Sequence, residues 1–266
     1  MADKTIIAWT DHTFNPWMGC EKVSEGCRNC YALTLTKNRM GLDLWGASPR
    51  QVTKSPWKNV AAWNRKAIAD GVISRVFCAS LCDVFEDHPT ANATRPLVWD
   101  VIKQSEHLHF QVLTKRPERI ADNLPDDWGD GYPNVWLGTS IEDMRVAHRA
   151  DYLREIPAAV RFISYEPALG SLNDLDISGI DWVIYGGESG PGHRSEDKQW
   201  ARDMRDKCAA TGAAFFHKQS AGHRTELGIE LDGELIRQFP CPRGYDGTVP
   251  FRSQGTGIMA PLMASA

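Results

Sequence analysis

Short runs of β-branched and aromatic residues alternate with helix-like segments along most of the chain, and this alternation constrains the fold more than any other feature. Each run is almost continuously apolar, as in strands buried on both faces of a parallel sheet. The seven predicted strands are Ile6–Trp9, Arg75–Ser80, His109–Thr114, Val135–Thr139, Arg161–Tyr165, Trp182–Tyr185 and Ala214–His217. The predicted helices are Tyr31–Asn38, Val60–Ala69, Ala91–Ser105, Pro117–Asn123, Met144–Ile156 and Asp197–Thr211. In the third helix, Pro96 favours a start near Thr94 as N-cap.

The repeated order of strand, helix and strand predicts an α/β protein built on a parallel (β/α) barrel, partial, with six or seven strands. We expect one barrel domain over residues 1–240 and a tail over residues 241–266, which is rich in Gly, Pro, Ser and Thr. The composition, 42% hydrophobic and 24% charged, excludes disordered and coiled-coil classes. An apolar run of 18 residues and a signal peptide are both lacking, which predicts a cytoplasmic protein that does not use a membrane.

Polar and charged residues follow the predicted strands at the point where each strand ends. In chain order these residues are Asp83, Lys115, Glu142, Glu166, Glu188 and Lys218. Barrel enzymes place their sites at the carboxyl ends of the strands. The chain is therefore expected to carry a functional site at that end of the barrel.

Three of the seven cysteines, Cys20, Cys27 and Cys30, lie on one loop after the first predicted strand, within residues 15–31. Three thiolates on one loop can bind three corners of a 4Fe–4S cluster and leave the fourth iron open. Gly19 and Gly26, each just before a cysteine, permit close backbone approach. A structural zinc site is the main alternative, and unrelated free thiols are another. The candidates for a fourth zinc ligand are His12, Cys78, Cys82, Cys208 and Cys241.

The cysteine loop resembles that of the radical S-adenosylmethionine superfamily, in the branch that contains spore photoproduct lyase. The flanking residues that carry this resemblance are Asn15-Pro16-Trp17-x-Gly19-Cys20 and Cys30-Tyr31-Ala32. The spacing here is Cys-x6-Cys-x2-Cys, whereas the superfamily usually has Cys-x3-Cys-x2-Cys. The longer loop is similar to that of a phage-associated three-cysteine-motif subfamily. Segments at the strand ends also resemble that subfamily, from Ser80-x2-Asp83 and Thr114-Lys115-Arg116-Pro117 to Ser164-Tyr165-Glu166-Pro167, Gly186-Gly187-Glu188 and Lys218-Gln219.

This resemblance implies a 4Fe–4S cluster on Cys20, Cys27 and Cys30, with S-adenosyl-L-methionine bound at the open iron. One electron would then cleave the cofactor to a 5′-deoxyadenosyl radical that abstracts hydrogen from a substrate. It also implies an electron donor such as a flavodoxin or ferredoxin, and a phage-encoded partner protein is a further candidate. The cofactor-binding candidates are Tyr31, Asp83, Glu166, Gly186, Gly187 and Glu188. Gly186-Gly187-Glu188 follows about the sixth strand, although the superfamily's similar element usually follows the second.

Four cations fall at predicted strand ends of a chain whose net charge is −4: Lys115, Arg116, Arg194 and Lys218. A cationic barrel mouth indicates an anionic substrate such as a nucleotide or nucleic acid. Alternatively, some of these cations form a structural ion network with Glu142, Glu166 and Glu188. The leading hypothesis is a radical enzyme that modifies or repairs a nucleic-acid component, its catalytic residues unknown. The alternative is a non-catalytic metal- or cluster-bearing binding protein of a phage or mobile-element system.

Overall fold

The computed structural model describes residues 5–253. Short strands and helices alternate along this part of the chain. The strands are β1 (His12–Phe14), β2 (Trp17–Met18), β3 (Gln51–Val52), β4 (Ser74–Cys78), β5 (Leu108–Thr114), β6 (Val135–Ser140), β7 (Val160–Tyr165), β8 (Trp182–Gly186) and β9 (Ala214–Gln219). The α-helices are α1 (Tyr31–Thr34), α2 (Ser55–Asp70), α3 (Pro89–Lys103), α4 (Arg149–Glu155) and α5 (Lys198–Thr211). A π-helical turn, Leu35–Arg39, continues α1. None of the helices in this range is long and apolar enough to cross a membrane.

Seven of the strands form one sheet in the order β1-β4-β5-β6-β7-β8-β9, and every neighbouring pair is parallel. Strands β1 and β9 are the two edges, so the sheet is an incomplete (β/α) barrel rather than a closed one. The predicted fold class is confirmed, with seven strands. Because all seven strands run the same way, their carboxyl ends meet at one end of the barrel.

The sheet is buried on both faces, which explains why its strands read as continuous apolar runs. In β8, Val183 and Tyr185 pack in the core that contains the helices, whereas Trp182 and Ile184 belong to a second cluster. That second cluster is dominated by aromatic rings, and Trp136 contacts Trp182 edge-to-face at 5.8 Å between ring centroids. Successive side chains of a strand point to opposite faces, so each strand supplies both layers.

The first strand lies later than the sequence predicts. Residues 6–9 form a turn rather than a strand, and the sheet begins at His12. Ile6 is 74% exposed, whereas Trp9 packs its ring against Phe77 at 4.5 Å between centroids. The apolar segment therefore packs against the barrel, chiefly through the Trp9 side chain, and does not join the sheet.

Helix α3 also differs from its prediction, because it begins at Pro89 and not near Thr94. The His88 ring accepts a hydrogen bond from the Thr90 N–H at 3.2 Å and caps the helix, and Pro89 occupies the first turn. Pro96 lies inside the helix. Proline at the first helical position loses no helical hydrogen bond, so Pro89 marks the true start.

The tail is described as far as residue 253, and this part lies against the amino ends of the strands. The Ile73 N–H donates to the Pro250 carbonyl at 2.9 Å. Phe251 packs edge-to-face on His109 at 4.9 Å between ring centroids. The buried guanidinium of Arg75 lies over the same Phe251 ring, with its Cζ atom 4.6 Å from the ring centroid. Residues 243–252 therefore cover the end of the barrel opposite the cysteine loop. The rest of the predicted tail lies outside the described residues.

Candidate functional site

A cleft of about 1990 Å³ opens at the carboxyl ends of the strands, and the cysteine loop forms part of its wall. The predicted site residues that line it are Cys20, Cys27, Cys30, Tyr31, Asp83, Lys115, Arg116, Glu166, Gly187, Glu188 and Lys218. Gly186 and Arg194 do not line it but lie next to residues that do. The fold therefore places most of the predicted site residues at one cavity.

Cys20, Cys27 and Cys30 are each partly exposed as whole residues. Cys30 is the N-cap of α1, and Cys20 is within 3.7 Å of the Arg116 Nη1 atom. Burial raises the pKa of Cys20 to about 12, and the nearby Asp83 carboxylate adds to this effect. The Arg116 guanidinium acts in the opposite direction and lowers the pKa of Cys20, and a bound metal would favour the thiolate further.

The donor set fits an iron–sulfur cluster by its chemistry, since it consists of three thiols on one loop that face a common cleft. Within residues 5–253, no group of three or more His, Cys, Asp or Glu side chains is placed so that it could hold a metal ion. The fit consequently rests on the kind of donor and on the shared loop. Tyr31, beside Cys30, is 55% exposed, and its hydroxyl donates to the Ser80 carbonyl at 2.9 Å.

The first anchor of the cysteine loop is Glu86, which follows β4. Its Oε1 accepts a hydrogen bond from the Glu21 N–H at 2.7 Å. Arg50 holds the same carboxylate with two bonds, from Nε at 2.9 Å and from Nη2 at 2.8 Å, and both side chains are buried. Two parallel bonds from a guanidinium fix a carboxylate in orientation as well as position. The residue after Cys20 is therefore held rigidly to the barrel.

The second anchor is Glu142, which follows β6. Its carboxylate accepts from the Ser24 hydroxyl and from Arg149 Nη1, both at 3.0 Å. A Cβ atom on Gly26 would lie only 2.2 Å from the Glu142 Oε1 atom. Only glycine fits at this point of the loop, because any side chain would collide with the buried carboxylate.

The third anchor is Glu188, which follows β8. Its Oε2 accepts from Asn29 Nδ2 at 2.9 Å and from the Arg194 N–H at 2.8 Å. Arg194 in turn reaches back to the loop, since its Nη1 lies 3.1 Å from Glu25 Oε1. Burial opposes ionisation of Glu188, but the hydrogen bonds from Arg194 and Asn29 outweigh it and lower the pKa. Glu188 is thus an ionised link between the loop and the barrel.

The part of the loop between Cys20 and Cys27 makes much of this anchoring. The segment between Cys20 and Cys27 contains Glu21, Ser24 and Glu25, and each of them contacts a different anchoring group. These three residues therefore attach the loop to groups that follow β4, β6 and β8.

The two glycines before Glu188 allow close packing. A Cβ atom on Gly186 would lie 2.8 Å from Glu166 Oε2, and one on Gly187 would lie 2.2 Å from the Ala221 nitrogen. The Glu166 carboxylate therefore occupies the space that a side chain at position 186 would take. It also forms an ion pair with Lys218.

Asp83 is buried and fully engaged by the protein. Its carboxylate accepts from Thr114 Oγ1 at 2.7 Å, from the Phe85 N–H at 3.0 Å and from the Lys115 N–H at 3.1 Å. It also pairs with Arg116 at 2.9 Å. These contacts fix the ends of β4 and β5 to each other.

All four cations predicted to bind an anion are paired with carboxylates. Lys115 lies 3.2 Å from Glu142, and Arg194 lies 2.5 Å from Glu188. Arg116 pairs with Asp83 and Lys218 with Glu166, as described above. The ion network considered from the sequence is therefore present. Lys115 and Lys218 are each still partly exposed at the cleft.

The cleft is richer in positive charge than the chain as a whole. Eight Lys or Arg residues and five Asp or Glu residues line it, whereas the chain contains 30 and 34. Arg39, Lys54 and Arg224 are exposed at this cleft and form no ion pair within the described part of the chain. The charge of the lining favours an anionic ligand.

Sequence reasoning missed the groups that hold the cysteine loop, namely Ser24, Asn29, Arg50, Glu86 and Arg149. Asn29 lies between two cysteines, where a polar side chain is easily read as solvated. Glu86 lies in the polar stretch after β4, close to Asp83, and this position was the available signal. Arg50 carries no local pattern at all, because its role depends on a fold that brings it to Glu86.

The fold and site together define an α/β protein with an incomplete parallel barrel and a three-cysteine loop docked across its mouth. The sequence profile of the family described as "Protein of unknown function (DUF5131)" matches residues 4–240, and the chain belongs to this family. No curated protein matches the chain in sequence.

Solved structures of spore photoproduct lyase share features of the overall fold. A doubly substituted mutant with bound AdoMet and dinucleoside spore photoproduct is 15% identical, with a TM-score of 0.46. Spore photoproduct lyase complexed with dinucleoside spore photoproduct is 14% identical, with a TM-score of 0.48. Each alignment covers 76% of this chain and 62% of the other, so this chain spans less than two thirds of those proteins.

Proposed function

We propose that this protein is a radical S-adenosylmethionine enzyme that acts on a nucleotide or a nucleic-acid component. The observation that carries the proposal is the placement of Cys20, Cys27 and Cys30 on one loop that lines the cleft at the barrel mouth. These three thiols would hold a 4Fe–4S cluster. When bound, the cluster and S-adenosylmethionine supply one-electron cleavage of the sulfonium to a 5′-deoxyadenosyl radical, with the electron supplied by a flavodoxin or ferredoxin.

The candidate cofactor contacts divide into two groups by their present partners. The Tyr31 ring and the Gly187 backbone line the cleft, as does Glu166 with Lys218 as its partner. They are proposed to orient the cofactor, with Gly186 making room for Glu166. Asp83 and Glu188 are committed to Arg116 and Arg194. Their proposed role is to hold the walls of the cofactor site.

The test of this function is anaerobic reconstitution followed by reduction in the presence of S-adenosylmethionine. We expect bound iron and sulfide and the release of 5′-deoxyadenosine, measured by chromatography with mass detection. A reconstituted cluster whose EPR signal does not respond to the cofactor, and that yields no 5′-deoxyadenosine, would favour the non-catalytic binding protein. Cleavage that accelerates with an added oligonucleotide would support the substrate class.

The proposed substrate class rests on the positive lining of the cleft. Lys115 and Lys218 are its central cations, and each can exchange its carboxylate partner for a phosphate. Each phosphate contact to a single strand adds about 0.7 to the slope of log K against log salt. For the Lys115→Gln, Lys218→Gln double variant we expect weaker binding of a short single-stranded oligonucleotide and a slope smaller by about 1.4.

Binding is measured by fluorescence anisotropy at several salt concentrations, with iron content checked in parallel. A Lys66→Gln, Lys103→Gln variant is the matched control, because both lysines are paired with aspartates on the outside of the barrel. Equal affinity and equal salt dependence in the parent and the cleft variant would contradict the nucleic-acid assignment. Exposed Arg39, Lys54 and Arg224 are the next residues to substitute if only part of the slope is lost.

A further inference from the structure

Arg116 differs from the other cleft cations because it contacts a cysteine sulfur. Its side chain is buried, and its Nη1 atom lies 3.7 Å from Cys20 Sγ and 2.9 Å from Asp83 Oδ2. Its Nη2 atom donates to the Glu21 carbonyl at 2.9 Å. The guanidinium therefore bridges the strand end at β5 and the first cysteine of the loop.

The Arg116 guanidinium is held in place by groups that make further hydrogen bonds of their own. Asp83 is held by Thr114 and by the Lys115 backbone, and the Arg116 N–H donates to Thr114 Oγ1 at 2.9 Å. A charge buried in this way is screened far less by water and salt than an exposed one. The positive charge of Arg116 therefore acts on Cys20 at close range, where the Asp83 carboxylate at 2.9 Å and the Glu86 carboxylate at 3.7 Å from the guanidinium partly offset it.

We propose that Arg116 is a positioning residue for Cys20 and makes the 4Fe–4S cluster easier to reduce. The inference rests on the proposed function, since it requires the cluster. One-electron reduction adds one negative charge to the cluster, and the electron comes from an external reductant. A cation that donates to a ligand sulfur stabilises the more negative state, because hydrogen bonds and charges around the sulfurs set the potential.

Of the four cations predicted at the strand ends, Arg116 is the one that donates a hydrogen bond to a cysteine sulfur. Among the described residues, Lys115, Arg194 and Lys218 make their ion pairs without a hydrogen bond to any of the three thiols. Arg119 is close in sequence to Arg116, but it donates to the Phe85 carbonyl and pairs with Asp87. Arg119 is therefore the matched control for loss of an arginine on this segment.

The experiment is an EPR-monitored titration with dithionite of anaerobically reconstituted protein, normalised to the intact cluster by iron and sulfide content. Arg116→Gln is expected to have a more negative midpoint potential than the parent, and Arg116→Lys an intermediate one. Arg119→Gln is expected to match the parent. Asp83→Asn is expected to shift the potential the opposite way, because it removes the negative charge that offsets Arg116.

A purely structural role for Arg116 would lower the amount of cluster without changing the potential of the cluster that forms. Equal potentials in the parent and both Arg116 variants would therefore overturn the inference while leaving the proposed function intact. If the Arg116 variants bind too little cluster for their potentials to be measured, the Asp83→Asn variant decides the question. An unchanged midpoint potential in Asp83→Asn would then overturn the inference. A parent protein that binds no cluster contradicts the proposed function itself.

Discussion

The Cys20→Ala, Cys27→Ala and Cys30→Ala variants are each expected to retain no iron after anaerobic reconstitution, against about four irons per chain in the parent. In the proposed site each thiolate would hold one corner of the cluster, and neither neighbouring cysteine could replace it from a loop that the barrel fixes at three points. Iron and sulfide analysis and the visible absorption spectrum measure the loss.

The control for these variants is Cys208→Ala. Cys208 is buried in the core on α5 and does not line the cleft, and burial raises the pKa of its thiol to about 12. Cys208→Ala is therefore expected to bind as much iron as the parent. Stoichiometric zinc without iron in the reconstituted parent would contradict the cluster assignment and return the site to the zinc alternative.

The Glu142→Ala substitution is expected to lower the free energy of unfolding by about 3–5 kcal/mol, the cost of leaving one member of a buried ion pair without its partner. Arg149 and Glu142 are both buried and lie 3.0 Å apart. Arg149 would keep its bond to the Ser140 carbonyl but lose its counter-charge. The loop would also lose the bond from Ser24. Urea unfolding of the metal-free protein, followed by circular dichroism, measures the change.

Glu25→Ala is the comparison for Glu142→Ala, since Glu25 is a glutamate of the loop itself that forms ion pairs but is exposed. Exposed ion pairs contribute about 0–1 kcal/mol, so a small effect is expected from its pairs with Arg28 and Arg194. A loss below about 1 kcal/mol for Glu142→Ala would show that the network is no more important than a surface pair.

The strands of the barrel were predictable because burial on both faces leaves a continuous apolar run in the sequence. Val160–Tyr165 and Ala214–Gln219 lie within two residues of their predicted bounds. The segment Ile6–Trp9 has the same apolar character, yet only Trp9 is deeply buried. Composition alone does not distinguish a strand from a turn that inserts one large side chain.

The site was predictable in its location but not in its internal connections. Strand order places Glu142 and Glu188 at the mouth, and that follows from the parallel barrel. Their actual contacts, with Ser24 and Asn29, join residues more than 100 positions apart. Such pairings depend on the relative placement of loops after folding, which no local pattern in a single sequence encodes.

The anchoring of the cysteine loop also determines when it becomes ordered as the chain is made. Because synthesis begins at the amino terminus, the cysteines leave the ribosome before the groups that anchor their loop. Glu86 follows its loop partner Glu21 by 65 residues, and Glu142 follows Ser24 by 118. Glu188 follows Asn29 by 159 residues. Each contact can form only once its later partner has been synthesised, and contacts between residues this far apart in sequence form slowly because closing the chain between them costs entropy. The loop therefore becomes fully anchored only after β8 has been made, and we expect a cluster to enter after that stage rather than on the newly made loop.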